Sequence, residues 1–443
     1  VKLNRILLIF SLFVVIGVSY YLWYRFSSQP VAIEEVFQGK VWSKTIENLP
    51  DLKGVGAPRA ENCGKCHGEI YKEWKTSTHA HALSDLQFQA ELSKPGQPKW
   101  ICLNCHIPVQ NQRENSVTTL NHGDSNQPIE IANPMFDEKM QKEAVTCATC
   151  HVRVDDAGMS YVIGANGNTN PPHPIKINKQ ALRNRCFDCH NETYTLSNSL
   201  VCYFQTGKEM KEAEIHFPGK DCVSCHLPEV KRSFVNSELK RKERISHKHA
   251  FIGGGVPKEF SLYAAQIPGG YRPGVILKGW ELAGETISVS FQNANAGHYV
   301  PSGDPERFLR LELLFLDAKG NVLVTKTSVI GQIWSWDPKA ELVSENRLRP
   351  KEERIWKEKV SDPKSAVVVF RMIHVKLKES NSKYMASNAK FADLKYREKI
   401  AKIKDNYPHS SLVLESKFDL KSKVITNSKL EDLFLQNEGR RGE

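Results

Sequence analysis

The pattern of apolar and polar positions changes character several times along the chain. Residues 6–24 form an almost unbroken apolar run of about 19 residues behind Lys2 and Arg5, close to the roughly 20 residues that cross a bilayer as a helix. The run is longer than the roughly 7–15 apolar residues of a signal peptide, and its end, Tyr20-Tyr21-Leu22-Trp23-Tyr24-Arg25, has no small-x-small cleavage site. It is therefore expected to be an uncleaved anchor. The aromatic cluster would sit at the outer headgroup level, with everything from Arg25 onward extracytoplasmic. Residues 26–59 are polar, with Pro30, Pro50 and Pro58 and no sustained period, and read as a tether.

From 60 to about 235 short apolar groups alternate with Pro-, Gly- and Asn-rich stretches such as 164–174. This pattern predicts short helices joined by loops, with 69–83 the clearest helix. Past a basic stretch at 231–248 and a glycine-rich link at 253–274 the period becomes two. Thr286-Ile-Ser-Val-Ser-Phe-Gln alternates, and 308–316 and 322–330 flank the turn Asp317-Ala-Lys-Gly-Asn321 as in a hairpin. Further strands are predicted at 366–376 and 411–420, with a Lys-rich amphipathic helix near 384–404. A sandwich of about five to seven strands is the expected second domain.

Cysteine placement decides the chemistry. Ten of the 11 cysteines fall into five C-x-x-C-H units, Cys63-Cys66-His67, Cys102-Cys105-His106, Cys147-Cys150-His151, Cys186-Cys189-His190 and Cys222-Cys225-His226. Composition alone would produce about 0.01 such units in the chain. Two cysteines three positions apart on one helical turn reach the two vinyl groups of a haem as thioethers, and the adjacent histidine reaches its iron. Zinc also uses C-x-x-C, but five copies each followed at once by histidine exclude it and a disulfide framework. The units recur at intervals of 39, 45, 39 and 36 residues, without matching intervening sequence, so no solenoid is implied. Cys202, the odd cysteine, reads as an inert buried thiol.

The 15 histidines leave ten beyond the motifs: His79, His81, His122, His173, His216, His247, His249, His298, His374 and His409. This excess points to iron held mostly between two imidazoles. His79 lies on the apolar face Tyr71-x-x-Trp74-x-x-Ser77-x-His79, with His81 as competitor. His216 precedes the fifth motif by six residues, and His173 is fixed by Pro171, Pro172 and Pro174. His249, against His247, precedes a glycine turn at 253–255 that would let a haem approach the backbone. His298, in Gly297-His298-Tyr-Val-Pro301-Ser-Gly303, serves only if the second domain folds back. His79, His173, His216, His249 and His298 are thus the candidate distal ligands. His122 lies in a polar loop, His374 in a predicted strand and His409 near the chain end, and all three read as other than ligands.

The 443 residues carry 61 Lys+Arg against 50 Asp+Glu, a net charge of +11. Five haems would add roughly −10 through their propionates, so the basic excess reads as counter-charge for the cofactor rather than as a nucleic-acid footprint. A Gly-rich nucleotide loop, a nucleophile triad and a DNA-binding module are not in the sequence.

The segment Glu61-Asn-Cys63-Gly-Lys-Cys66-His67, followed by Tyr71, Trp74, Ser77 and His79, resembles the opening of the multihaem cytochromes related to cytochrome c-554, the tetrahaem acceptor of hydroxylamine oxidoreductase. Gly219-Lys-Asp-Cys222-Val-Ser-Cys225-His226-Leu-Pro228 resembles the same group, and Gly297-His298-x-x-Pro301-x-Gly303 ahead of Arg307 resembles cytochromes with a C-terminal β domain. The resemblance spans about residues 60–316. Five motifs differ from the family's four or eight, and the anchor and β domain are additions.

The expected fold class is therefore α+β: an N-terminal transmembrane helix (1–25), a linker (26–59), a short-helix and loop cytochrome c domain with five covalent haem c groups (60–260) and a β-sandwich-like domain (275–430). The expectation is an electron relay in a respiratory chain, anchored in the cytoplasmic membrane with its bulk in the periplasm, serving redox partner proteins there or in the membrane. An oxidoreductase acting on a small nitrogen or sulfur compound at a five-coordinate haem, and a quinol dehydrogenase, are the alternatives. The quinol reading is disfavoured by the roughly 38 residues between run and first motif.

Overall fold

The computed structural model describes residues 2–433 apart from 167–169, 192, 198–199, 240, 252, 254–272, 336–337 and 430–431, with the backbone alone for 2–9, 193–197 and 200–202. Cys202 and the glycine turn after His249 thus lie outside the described side chains or residues. Helix Lys2–Phe26 occupies the apolar run. Its described side chains are exposed, Phe10 at 68% and Trp23 at 61%. Among the described residues, however, no helix is long and apolar enough to cross a membrane. The spanning role expected of residues 6–24 does not carry over to them.

The tether reading of 26–59 is corrected. Strand Pro30–Ala32 pairs antiparallel with Asn115–Asn121, which pairs on its other side with Pro128–Ala132. Ile33 and Trp42 are buried with Trp100, Ile101 and Leu120, and Leu49 with Val109, Met140 and Ala148. The Asn111 side chain accepts from Leu49 N (2.7 Å) and donates to Leu49 O (3.2 Å). The apolar residues of this stretch come singly or in groups of two or three, and most of their partners lie about 60–100 positions later. No local period could reveal it.

Each motif sits on or beside a short helix: Ala60–Gly64, Lys99–His106, Cys147–His151, Phe187–His190 and Cys222–His226. The Glu143 carboxylate accepts from Ala60 N at 2.7 Å and from Thr146 Oγ1 at 2.8 Å, tying the starts of the first and third motif helices together. The helix expected at 69–83 is Gly68–Lys75 and ends there. Thr76 Oγ1 donates to Glu73 O (2.8 Å) and Ser77 Oγ accepts from Ala80 N (3.2 Å). Such side-chain bonds compete with continued helix, and His79 emerges on a turn. Small strand pairings complete this part, such as Val152–Val154 with Ser160–Gly164 and Glu229–Arg232 with Arg244–His247.

The second domain is a sandwich of two sheets. Val275–Ala283, Thr286–Asn293 and Glu353–Lys359 form a three-stranded sheet. The six-stranded sheet runs Glu341–Glu345, Val322–Ser335, Phe308–Leu316, Val367–Val375, Ser410–Asp419, Ile425–Asn427. That is more strands than expected, because short or charged ones such as Glu353–Lys359 carry a polar pattern. Ile287, Val289 and Phe291 from one sheet meet Leu309, Leu311, Leu313, Phe315 and Phe370 from the other in one core. The helix expected at 384–404 is broken into Glu379–Ser387, Leu394–Ala401 and Ile403–Asn406. Met385, Ile400, Ile403 and Tyr407 from this region bury against Ala90 of the first domain's helix Leu86–Leu92. The β domain is thereby fastened to the motif-bearing domain.

Candidate cofactor centres

Three motif histidines each face one further histidine. The ring centroids lie 6.3 Å apart for His79 and His190, 6.4 Å for His151 and His249, and 6.3 Å for His226 and His298. A metal bonded to imidazole nitrogens at about 2 Å on both sides holds two ring centroids roughly 6.3 Å apart. The chain thus leaves, between each pair, the space that one iron fills. His173 lies near His67, adding to the burial that pushes the His67 imidazole below its usual range. His106 differs: its ring stacks on Phe88 at 3.5 Å and 4°.

The imidazoles are also prepared as ligands. Nδ1 donates to a backbone carbonyl in His67 (Phe234, 2.7 Å), His106 (Ala82, 2.7 Å), His151 (Ile163, 3.0 Å), His249 (His247, 2.9 Å) and His298 (Tyr299, 2.8 Å). A bonded Nδ1 fixes the tautomer and leaves the Nε2 lone pair for a metal. Burial pushes His106 down to about 4 and His249 to about 3, so both are neutral near pH 7.

The motifs adjoin one another. Cys63 shares a side-chain hydrogen bond with Cys147, and Cys186 with Cys222. Cys150 lies within the electrostatic reach of Cys189, and His106 within that of His190. The first motif therefore borders the third, the third the fourth and the fourth the fifth, with the second beside the fourth. A buried and a half-buried cation flank the set: desolvation depresses Arg113, near Cys102 and Cys105, to about 9, and Arg153, near Cys150, to about 10. They remain charged at neutral pH and suit the carboxylates of a bound haem.

The expected candidates are placed unequally. His79, His249 and His298 each stand opposite a motif histidine, and His173 stands near one. His216 is exposed and is not brought to a motif histidine, since the turn after helix Thr206–Glu212 directs it outward. His81 is exposed, bonded to Lys75 O at 3.1 Å, and His247 donates to Leu227 O at 2.7 Å. His374 lies in strand Val367–Val375, opposite Leu309. Sequence reasoning did not single out Phe88, whose role depends on how its helix docks.

Paired cysteines on helical turns, each pair followed by its histidine, and facing imidazoles define a multihaem c-type cytochrome. Residues 62–152 match the family described as cytochrome c554 and c-prime. A solved structure, the penta-heme cytochrome c552 from Thermochromatium tepidum, shares the fold at a TM-score of 0.54 and 19% identity, over 82% of this chain and 98% of that one. No curated protein matches the chain.

Proposed function

We propose that the protein is an electron carrier holding five haem c groups, one per motif, most of them between two histidines. The observation that carries this is the recurrence of facing imidazoles at 6.3–6.4 Å. A bound haem supplies an iron that accepts and gives up one electron. The residues would do the rest: Cys63, Cys66, Cys102, Cys105, Cys147, Cys150, Cys186, Cys189, Cys222 and Cys225 would attach it, and His67, His106, His151, His190 and His226 would bind the iron. His173, His249, His79 and His298 would supply a second imidazole at the first, third, fourth and fifth motifs. The adjacency of motifs supports a continuous path, with redox proteins as partners.

Extracytoplasmic placement and attachment through helix Lys2–Phe26 belong to the same proposal. The exposed apolar side chains of residues 10–26 and the Tyr20, Tyr21, Trp23 and Tyr24 cluster support them. A second reading, an oxidoreductase acting on a small nitrogen or sulfur compound, is favoured by His106 meeting Phe88 rather than a histidine. The test is a haem count by pyridine haemochrome together with low-temperature EPR of the oxidised protein. Five haems with four low-spin centres are expected. One or two haems per chain would refute the reading, and turnover of nitrite or hydroxylamine would favour the second.

A further inference from the structure

The two most buried ion pairs among the described residues stand at distal histidines. Glu73, 7% exposed, accepts from both terminal guanidinium nitrogens of Arg232, at 2.6 and 3.0 Å. Its Oε2 also accepts the backbone N–H of His249 at 2.9 Å, while Arg232 donates to His247 O at 2.9 Å. Glu209, 3% exposed, receives Arg347 at 2.7 Å. Its Oε2 accepts the backbone N–H of Tyr299, the residue after His298, at 3.2 Å and the Ser302 hydroxyl at 2.7 Å. Both glutamates lie on helices of the motif-bearing domain, Gly68–Lys75 and Thr206–Glu212. Both arginines come from far along the chain, Arg347 from the β domain.

We propose that Glu73 and Glu209 are positioning residues that latch the distal histidines of the third and fifth centres, each through a backbone N–H held by an arginine-paired carboxylate. The proposal rests on His249 and His298 being distal ligands. Glu73 is fixed by both terminal nitrogens of Arg232, and Glu209 by one Arg347 nitrogen on Oε1 and the Ser302 hydroxyl on Oε2, so neither carboxylate can swing and the N–H each accepts is fixed in turn. The loop carrying the histidine then has one position, with the imidazole already turned toward the iron, and little ordering remains when coordination forms. Apolar groups could fill the same volumes but would leave the backbone N–H groups without acceptors. The fifth latch also joins the two domains, since Glu209 and His226 lie on one side and Arg347 and His298 on the other. Closure of the fifth centre therefore reports docking of the β domain.

The experiment measures carbon monoxide binding to the reduced full-length holoprotein in Glu73→Ala, Glu209→Ala, His249→Ala, His298→Ala and the doubles Glu73→Ala/His249→Ala and Glu209→Ala/His298→Ala. Each histidine variant is expected to add one carbon monoxide site to the wild-type number. Each glutamate variant is expected to make one site partly available, and each double to add one site, not two. If Glu73→Ala does not accumulate, Glu73→Gln keeps an acceptor while losing the charge. Its expected signature is binding about tenfold faster than wild type at one site, because a charge-assisted bond is roughly twice as strong as a neutral one. Wild-type binding in the glutamate variants, or a second site in the doubles, overturns the latch. Unchanged binding in His249→Ala and His298→Ala overturns the ligand reading itself.

Discussion

Replacing Phe370 by alanine tests whether the β domain holds the fifth centre closed. Phe370 is fully buried where the two sheets meet. Its ring lies 5.6 Å from Phe291, nearly parallel at 14°, and meets Trp280 and Trp356 at 6.4 Å, each close to edge-on. Removing a ring boxed in by three others leaves a cavity that strands cannot collapse to fill. The cost is about 3–5 kcal/mol, as for other buried Phe→Ala changes. For a domain of about 150 residues at about 2–4 °C per kcal/mol, the melting temperature should fall by roughly 6–20 °C. Near-UV circular dichroism of Trp280 and Trp356 would follow the sandwich, and the ferric low-spin signal would follow the centres. Between the two melting temperatures the variant should lose one low-spin centre, the pair His226 and His298. The other centres should persist, because His79, His173 and His249 lie before the sandwich in the chain. A sandwich that melts early while every low-spin centre survives would refute the role given to His298. A loss below about 1 kcal/mol would refute the packing.

Further outcomes follow from single positions. Gly54 has a φ of +78°, and a Cβ there would overlap the Pro172 carbonyl next to His173. Gly54→Ala should thus lower stability by more than about 1 kcal/mol and open the first centre to carbon monoxide, whereas Gly39→Ala, with similar φ but open space, should cost only backbone strain and leave ligand binding unchanged. His173→Ala should add a carbon monoxide site to the wild-type number and His216→Ala none, by spectrophotometric titration of the reduced protein.

What the amino-acid sequence determined by itself was the local chemistry. Attachment needs its two cysteines and histidine within one turn, so all five motifs are legible without any knowledge of the fold. Alternation likewise marks Thr286–Asn293, and the turn at 317–321 marks the hairpin of Phe308–Leu316 and Val322–Ser335, whose core-facing residues alternate with half-buried ones in Phe308–Leu316. Tertiary structure decided everything that joins distant residues. Which histidine stands opposite which depends on chains of packing between positions such as 79 and 190 or 226 and 298, and a histidine alone carries no period. His216, six residues before a motif, was placed by proximity along the chain, but its turn points outward. The segment 26–59 looked like a tether because its few apolar residues find their partners around 100–150. Glu73 and Glu209 look like ordinary helix-surface glutamates in sequence. Burial and arginines 159 and 138 positions away give them their role, because a fixed charge is set by what surrounds it in space, which local spacing does not encode.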